Sequence, residues 1–275
     1  MTAFLTAVAS PEAAFVLVIR IGAVGVLLTS IELIVDRRLL WTGGLMSWTV
    51  GQVRRRYLVH GLTGVAFDWL LRYPNVLGML ALRAALAAVI LFGPDRLVLG
   101  PILVPAIALL LALFTLRNPY GLDGADQMFL ILFVGGALPC LDPNPFTRTI
   151  YLWFVAFQAC LSYTTAGIAK ATAGGWWDGS YLTGVFATRM YGAAGFARAL
   201  RKYPPLAKTL SLALITWESL FPLSLIAPEE VTAAFLIVGC GFHVANAFLM
   251  GLNTFLWAFL ATYPAIVFCV RSRGC

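Results

Sequence analysis

An all-α, polytopic membrane helical bundle, with about eight transmembrane helices plus interfacial helices, is the fold class the sequence predicts. Three observations carry it. Of 275 residues, 61% are hydrophobic and only 11% are charged, against about 45–50% and about 25% in soluble domains. Mean hydropathy is +0.89. The apolar residues also run in stretches near the roughly 20 residues that cross a bilayer core. One integral membrane domain over 1–275, multi-pass in the cell membrane, is expected, with the lipid bilayer as its surroundings.

In chain order, the expected spans are 13–35, 75–92, 97–116, 127–141, 149–171, 207–226, 231–250 and 253–270. Prolines mark their boundaries at Pro94, Pro143, Pro145, Pro204, Pro205 and Pro228, because proline ends or starts helices. Gly251 and Asn253 supply the break that the long apolar run from 231 to 270 needs. Two segments do not read as spans. "DRRLLWTGGLMSWTVGQVRRRYLVHGLTGVAFDWLLRYP" (36–74) mixes Arg54, Arg55 and Arg56 with Trp41, Trp48 and Trp69. The segment 172–206 combines Trp176 and Trp177 with Arg189, Arg198, Arg201 and Lys202. Arginine beside tryptophan at headgroup depth is the pattern of interfacial helices. The N-terminus lacks a basic n-region, so no cleaved signal peptide is expected.

The net charge of +7 sits in short loops between apolar runs, which is a topology signal and excludes nucleic acid as a partner. Alternating spans place Arg37, Arg38, Arg54, Arg55, Arg56, Arg72, Arg117, Arg189, Arg198, Arg201, Lys202 and Lys208 on one side. Only Arg96, Arg148, Arg271 and Arg273 fall on the other. The first side is then cytoplasmic. The five cysteines (Cys140, Cys160, Cys240, Cys269 and Cys275) form no CxxC pair, and two histidines exclude a histidine-rich metal site. No P-loop, dinucleotide-binding, GxSxG or HExxH motif is present.

Charges inside spans are the informative residues, since each costs about 2.5–3.5 kcal/mol at mid-bilayer on insertion scales. They are Arg20, Glu32, Arg83, Lys170, Glu218 and His243, with Asp123 and Asp126 at a span's edge. Arg20, Glu32 and Arg83 read as structural groups satisfied by one another or by carbonyls. Lys170 shares a helix face with Cys160, Tyr163 and Gly167. A lysine desolvated there can serve as a base, and the bland alternative is snorkelling from a helix end just before Gly174 and Gly175. His243, Asn246, Met250, Asn253 and Trp257 make one stripe if the helix continues through Gly251. The histidine is a candidate proton carrier, or it simply bonds between helices as Asn does. Asn118 and Asp123 read as cap and turn residues, and Asp126 as an anion at a helix N-terminus. Glu218, beside Trp217 and one turn before Pro222, is expected to be protonated if unpaired and so a candidate acid. Its alternative is an ion pair with Arg20 or another buried cation.

Three segments together resemble the vitamin K-dependent gamma-carboxylase-like group, which includes the bacterial horizontally transferred transmembrane (HTTM) proteins. "YTTAGIAKATAGGWWDGSYL" (163–182) resembles the group's Tyr–x–x–Ala–Gly–x–x–Lys…Trp–x–x–Gly signature. "FHVANAFLMGLNTFLWAFLATYP" is similar to its late Phe-His…Asn…Gly…Phe segment, and "RNPYGLDGADQMF" to the bacterial Arg-Asn…Asp-Gly-x-Asp segment. In the carboxylases the signature lysine deprotonates a reduced quinone, so the resemblance implies Lys170 as base or substrate-orienting cation. It also promotes His243. Departures point away from protein glutamate carboxylation: the chain ends soon after "ATYP", Ala169 replaces the first of two adjacent lysines, and no histidine precedes the lysine motif.

The expected activity is therefore acid–base chemistry within the membrane on a lipophilic, isoprenoid- or quinone-like small molecule, of the quinol-oxygenation or terpenoid-cyclisation type (a lyase or isomerase). Lys170, Asp126, Glu218 and His243 are the candidate catalytic residues; Asn118, Asp123, Tyr163, Trp176, Trp177, Asn246, Asn253 and Trp257 are the candidate substrate-binding ones. No metal site is expected, and no cofactor is implied by the residues themselves. The alternative is a non-catalytic transporter or assembly partner with a buried polar pathway.

Overall fold

The computed structural model describes residues 8, 10–54, 61–118, 120–189 and 191–273, with the side chains at 54, 62 and 63 left aside. Arg55, Arg56 and Cys275 lie outside the described residues. The chain is an all-α polytopic bundle, and the described residues contain no strand. Among the described residues, six helices are long and apolar enough to cross a membrane, which makes this a multi-pass membrane protein. The chain divides into two compact units, Pro11–Tyr151 and Leu152–Cys275 with Met1–Ser10.

The first unit holds α1 (Pro11–Val35), α2 (Trp48–Arg54), α3 (Gly61–Leu71), α4 (Asn75–Phe92), α5 (Asp95–Val98), α6 (Leu103–Arg117), α7 (Gly124–Leu141) and the start of α8 (Pro145–Ala171). In lipid, apolar residues do not by themselves choose an inward face; close packing and polar bonds do. α1 buries Phe15, Ile19, Gly22, Val26 and Ser30, and α4 buries Val76, Leu80, Arg83, Ala87 and Ile90, each set at helical spacing along one face. Arg83 joins the two faces through a 2.7 Å bond to the Ser30 hydroxyl, and its guanidinium lies over the Phe114 ring. Arg20 donates to the carbonyls of Ile90 and Gly93 and pairs with Asp95 at 2.8 Å. Glu32 is exposed. Gly136 of α7 admits the Ile19 side chain, which a Cβ there would meet at 2.9 Å.

Among the described residues of 36–74, no helix is long enough to span, and the segment is partly buried in the protein. Trp41 and Trp69 are exposed, whereas Trp48 is buried and donates to Asp68. Arg117, which composition groups with the loop cations, is in fact fully buried. Its guanidinium donates to the carbonyls of Leu40, Met46 and Leu71, three chain turns that no helix satisfies. A loop arginine and a structural clamp are indistinguishable by composition.

The second unit continues α8 and adds α9 (Ser180–Phe186), α10 (Ala194–Lys202), α11 (Pro204–Ser219), α12 (Leu223–Ile226), α13 (Glu229–Met250), α14 (Asn253–Leu260) and α15 (Tyr263–Ser272). Two expected spans are realised differently. The stretch 97–116 becomes short α5 and the 15-residue α6, and 207–226 breaks into α11 and α12. Pro222 causes the second break: it has no N–H for the Glu218 carbonyl, and its ring excludes that carbonyl's helical position. Phe221 N–H takes the Glu218 carbonyl instead, at 3.3 Å. Between α8 and α11, the short α9 and α10 pack Leu182, Phe186, Ala197 and Leu200 together, while Arg198, Arg201 and Lys202 stay exposed.

Arg117→Met strands three carbonyls at once. With each unpaired buried acceptor costing about 1–3 kcal/mol, we expect a stability loss of about 3 kcal/mol or more, read from thermal unfolding in detergent.

Candidate functional site: an ion pair beside an aromatic nest

α8 is the axis of the site. Tyr163, Gly167 and Lys170 occupy one face of it, and a Cβ at Gly167 would sit 2.6 Å from the Ser219 backbone nitrogen. Glycine therefore lets α8 and α11 touch at Ser219. That contact delivers Glu218 to Lys170: Nζ donates to Oε2 at 2.7 Å and to Oε1 at 3.0 Å. The side chains are 19% and 4% exposed. A third donor direction reaches the Ala166 carbonyl at 3.5 Å, and the ammonium lies 5.4 Å over the Trp176 ring. Lys170 is thus neither snorkelling nor alone.

Trp176 is held in a 3-10 turn (Gly174–Trp176), with its carbonyl accepting from the Ser211 hydroxyl of α11. Trp177 is exposed, and its indole N–H closes the end of α8 on the Ala171 carbonyl at 2.8 Å. Only the first of the paired tryptophans therefore belongs to the site. Outside the spans, the Asp178 carboxyl is held below the usual carboxylate range by the Ser180 backbone N–H and hydroxyl.

Two turns back along α8, about 10.5 Å, the Tyr163 hydroxyl meets His243 Nε2 of α13 at 2.7 Å. Both are buried. The pair is walled by aromatic rings: Phe221 lies 4.0 Å and Trp217 5.0 Å from Tyr163 by ring centroids, and Phe259 stacks on His243 at 4.8 Å and 16°. His243 Nδ1 has no partner among the described residues.

The expected stripe from His243 to Trp257 is broken. α13 ends at Met250, Gly251 adopts φ +70°, and the Gly251 and Leu252 N–H groups close the helix on the Ala247 and Asn246 carbonyls. Left-handed backbone of this kind favours glycine and reverses the chain. α14 then packs along α13, which brings Phe259 onto His243. Asn246 and Trp257 are half-buried and Asn253 is exposed; Asn253 leaves the His243 face.

The acidic segment before α7 belongs to the first unit. Asp123 is the helix cap, its Oδ1 accepting from Asp126 N–H at 2.8 Å, and Asn118 accepts from Tyr120 N–H. Both play the expected cap and turn roles. Asp126 stands in the first turn of the helix and within electrostatic reach of Arg83.

No family model, no curated protein and no solved structure matches the chain. The geometry adds residues that sequence reading passed over: Phe221, Phe242, Phe259 and Tyr263 line or stack on the His243 nest. A lone phenylalanine in an apolar run carries no signal of its own; the proximity of "ATYP" to the late motif was the one hint. Gly239, in "GCGF", lets the Tyr263 hydroxyl and the Trp217 ring approach α13, where a Cβ would collide with both.

Two stability outcomes check this arrangement. Gly167→Ala drives a methyl into α11 backbone and is expected to cost about 1–3 kcal/mol, whereas Gly241→Ala, with open space around it, is expected to be neutral. Glu218→Ala leaves Lys170 unpaired and is expected to cost about 3–5 kcal/mol, most of it regained in the double variant Lys170→Met with Glu218→Leu. Thermal unfolding in detergent reads both.

Proposed function

We propose that this protein is an intramembrane acid–base enzyme acting on a lipophilic isoprenoid- or quinone-like molecule, with Lys170 and Glu218 as its proton-handling pair. One observation carries the reading. Two proton-exchanging pairs, Lys170–Glu218 and Tyr163–His243, stand on a single face of α8. Structural pairing alone asks for neither the second pair nor the aromatic walls around it. Resemblance of the lysine motif to the carboxylase-like HTTM group points the same way, and to the cell membrane as the site of action.

The pairing favours one chemistry over the other. Carboxyl-initiated cyclisation asks for Glu218 with its proton on and free to donate, but its oxygens are both engaged by an ammonium. Removal of a proton from a substrate hydroxyl suits the pair better. Glu218 accepts the proton, and the Lys170 cation holds the oxyanion that results, with the Trp176 face bounding its position. Tyr163 and His243 can then pass a proton onward, because phenol and imidazole both donate and accept.

The bidentate grip of Glu218 on Lys170 also favours a second reading, a non-catalytic polar pathway in a transporter or assembly partner. Glu218→Gln separates them. Nanodisc-embedded protein is given prenylated hydroquinones or linear isoprenoid alkenes, and products are followed by mass spectrometry. The enzyme reading expects hydroquinone conversion that falls at least about 10²-fold in Glu218→Gln and Lys170→Met, with the Gln variant still folded and membrane-inserted. Normal turnover by the Gln variant, or no product from wild type, would remove the enzyme reading.

A further inference from the structure

Helices α13 and α15 of the second unit part to leave a cavity of about 650 Å³, within the about 300–1,000 Å³ typical of ligand pockets. Neither the Lys170–Glu218 pair nor the Tyr163–His243 pair lines it. Its walls are apolar, with Leu236 and Ile237 of α13 and Val267 and Val270 of α15. Ile237 is 69% exposed, and the apolar window of α13 is only 17% buried inside the protein. The groove therefore opens sideways towards lipid. From Glu229 at one end to Cys240 towards the other, the helical rise is about 16 Å, or half of a hydrocarbon core about 30 Å thick. It has the length of one leaflet.

Charge is confined to one end of it. Glu229 and Glu230 open α13, Arg271 stands in the last turn of α15, and all three line the mouth. Glu229 and Arg271 pair loosely, at 3.6 Å, and remain 50% and 37% exposed. Glu230 is exposed and has no partner among the described residues. Helix dipoles account for the signs of these residues, since carboxylates suit an N-terminus and cations a C-terminus. They do not account for the apolar cavity beneath. Thr232, also at this end, is already committed, its hydroxyl donating to the Ser224 carbonyl at 2.8 Å. The mouth thus presents two carboxylates to a cation and one guanidinium to an anion, above apolar walls.

We infer that the groove binds one molecule of phosphatidylethanolamine, with an acyl chain between α13 and α15, its ammonium on Glu229 and Glu230, and its phosphate on Arg271. Both charges of the headgroup then find opposite charges one groove-width apart, at the depth where hydrocarbon gives way to headgroups. The guanidinium suits phosphate, and a primary ammonium carries three N–H donors for the carboxylates. Phosphatidylcholine has the same net charge, but its trimethylated nitrogen has no N–H to donate. Phosphatidylglycerol would bring an anion beside two carboxylates with no cation of its own. Binding of this lipid is independent of the acid–base chemistry, because neither Lys170 nor Glu218 lines the groove.

Dioleoyl phosphatidylethanolamine, phosphatidylcholine and phosphatidylglycerol are titrated separately into the delipidated full chain in detergent and counted by native mass spectrometry. Phosphatidylethanolamine is expected to bind saturably, one per chain, and the other two about tenfold more weakly. The double variant Glu229→Gln with Glu230→Gln, at exposed positions, is expected to bind phosphatidylethanolamine only as well as phosphatidylcholine and to leave phosphatidylcholine unchanged. Ile237→Trp, at an exposed rim position, and Ala233→Phe, at a half-buried one, fill the groove; each is expected to weaken phosphatidylethanolamine about tenfold. Val238→Trp, exposed on α13 but outside the groove lining, is expected to bind like wild type. Equal binding of the three lipids, uptake that never saturates, or tighter binding of phosphatidylglycerol would overturn the proposal. So would selectivity that survives the double Gln variant, or filled variants that fold and bind like wild type. A change of oligomeric mass in the filled variants without loss of lipid would also overturn it, assigning the groove to a second copy of the chain.

Discussion

A charge in hydrocarbon must have a partner, and the Lys170–Glu218 pair is where the second unit is built around that requirement. Desolvating either ion alone costs several kcal/mol, and only close, well-directed pairing offsets it. Three sequence features converge on the 2.7 Å contact. Gly167 removes the side chain that would hold α8 off α11. Pro222 stops α11 within a turn of Glu218, where the freed backbone can bend. Lys170 stands in the last turn of α8, where a cation also meets the negative end of the helix dipole. Change any of these and the pair is not merely weakened; it becomes two unpaired charges in the same low dielectric.

The first unit obeys the same rule with arginine. Arg20 spans two carbonyls and a carboxylate, Arg83 a hydroxyl and an aromatic face, Arg117 three carbonyls, and Arg148 the Glu12 carboxylate at 2.6 Å. The planar guanidinium suits this work because its donors point in several fixed directions and can gather separate acceptors at once. Lysine, a compact cation, is found where one carboxylate suffices. The choice of side chain therefore tracks the work it does. The arginines tie chain segments together, and the lysine holds one carboxylate.

Much of this was legible beforehand and some was not, for identifiable reasons. Hydropathy runs gave the long spans, because length and apolarity are what a bilayer selects. The Asp123 cap and the Asn118 turn were legible because their bonds are local. Lys170 stood out because a cation in a span is rare. Its partner did not, since spacing reveals which residues share a face but not which face another helix brings to it. Gly251 was noted as a possible break, and whether the helix passed through it decided the fate of the Asn253 end of the stripe. Reversal at Gly251 then created the Phe259–His243 stack, a tertiary consequence with no sequence period. Arg117 misled for the complementary reason: loops and buried turns have the same composition when the satisfying group is a distant backbone.

The two hydrogen-bonded pairs differ in how they suit a dry environment. In Tyr163–His243 both partners can be neutral, so the aromatic rings around them impose no Coulombic cost, and orientation alone decides which one donates. Lys170–Glu218 can exist as an ion pair or, after one proton crosses, as a neutral amine and carboxylic acid. The first form gains Coulomb attraction that grows as the dielectric falls; the second avoids the desolvation of two ions. Because the opposing terms rise together as water is excluded, arrival of an apolar ligand changes their difference far less than it would change the energy of a lone charge. A paired site can therefore admit a lipophilic molecule without losing its charges to the change in surroundings. A single buried base would have to be rehydrated or neutralised each time the site filled. That compensation is a physical advantage of setting a glutamate opposite the α8 lysine in a chain poor in charge.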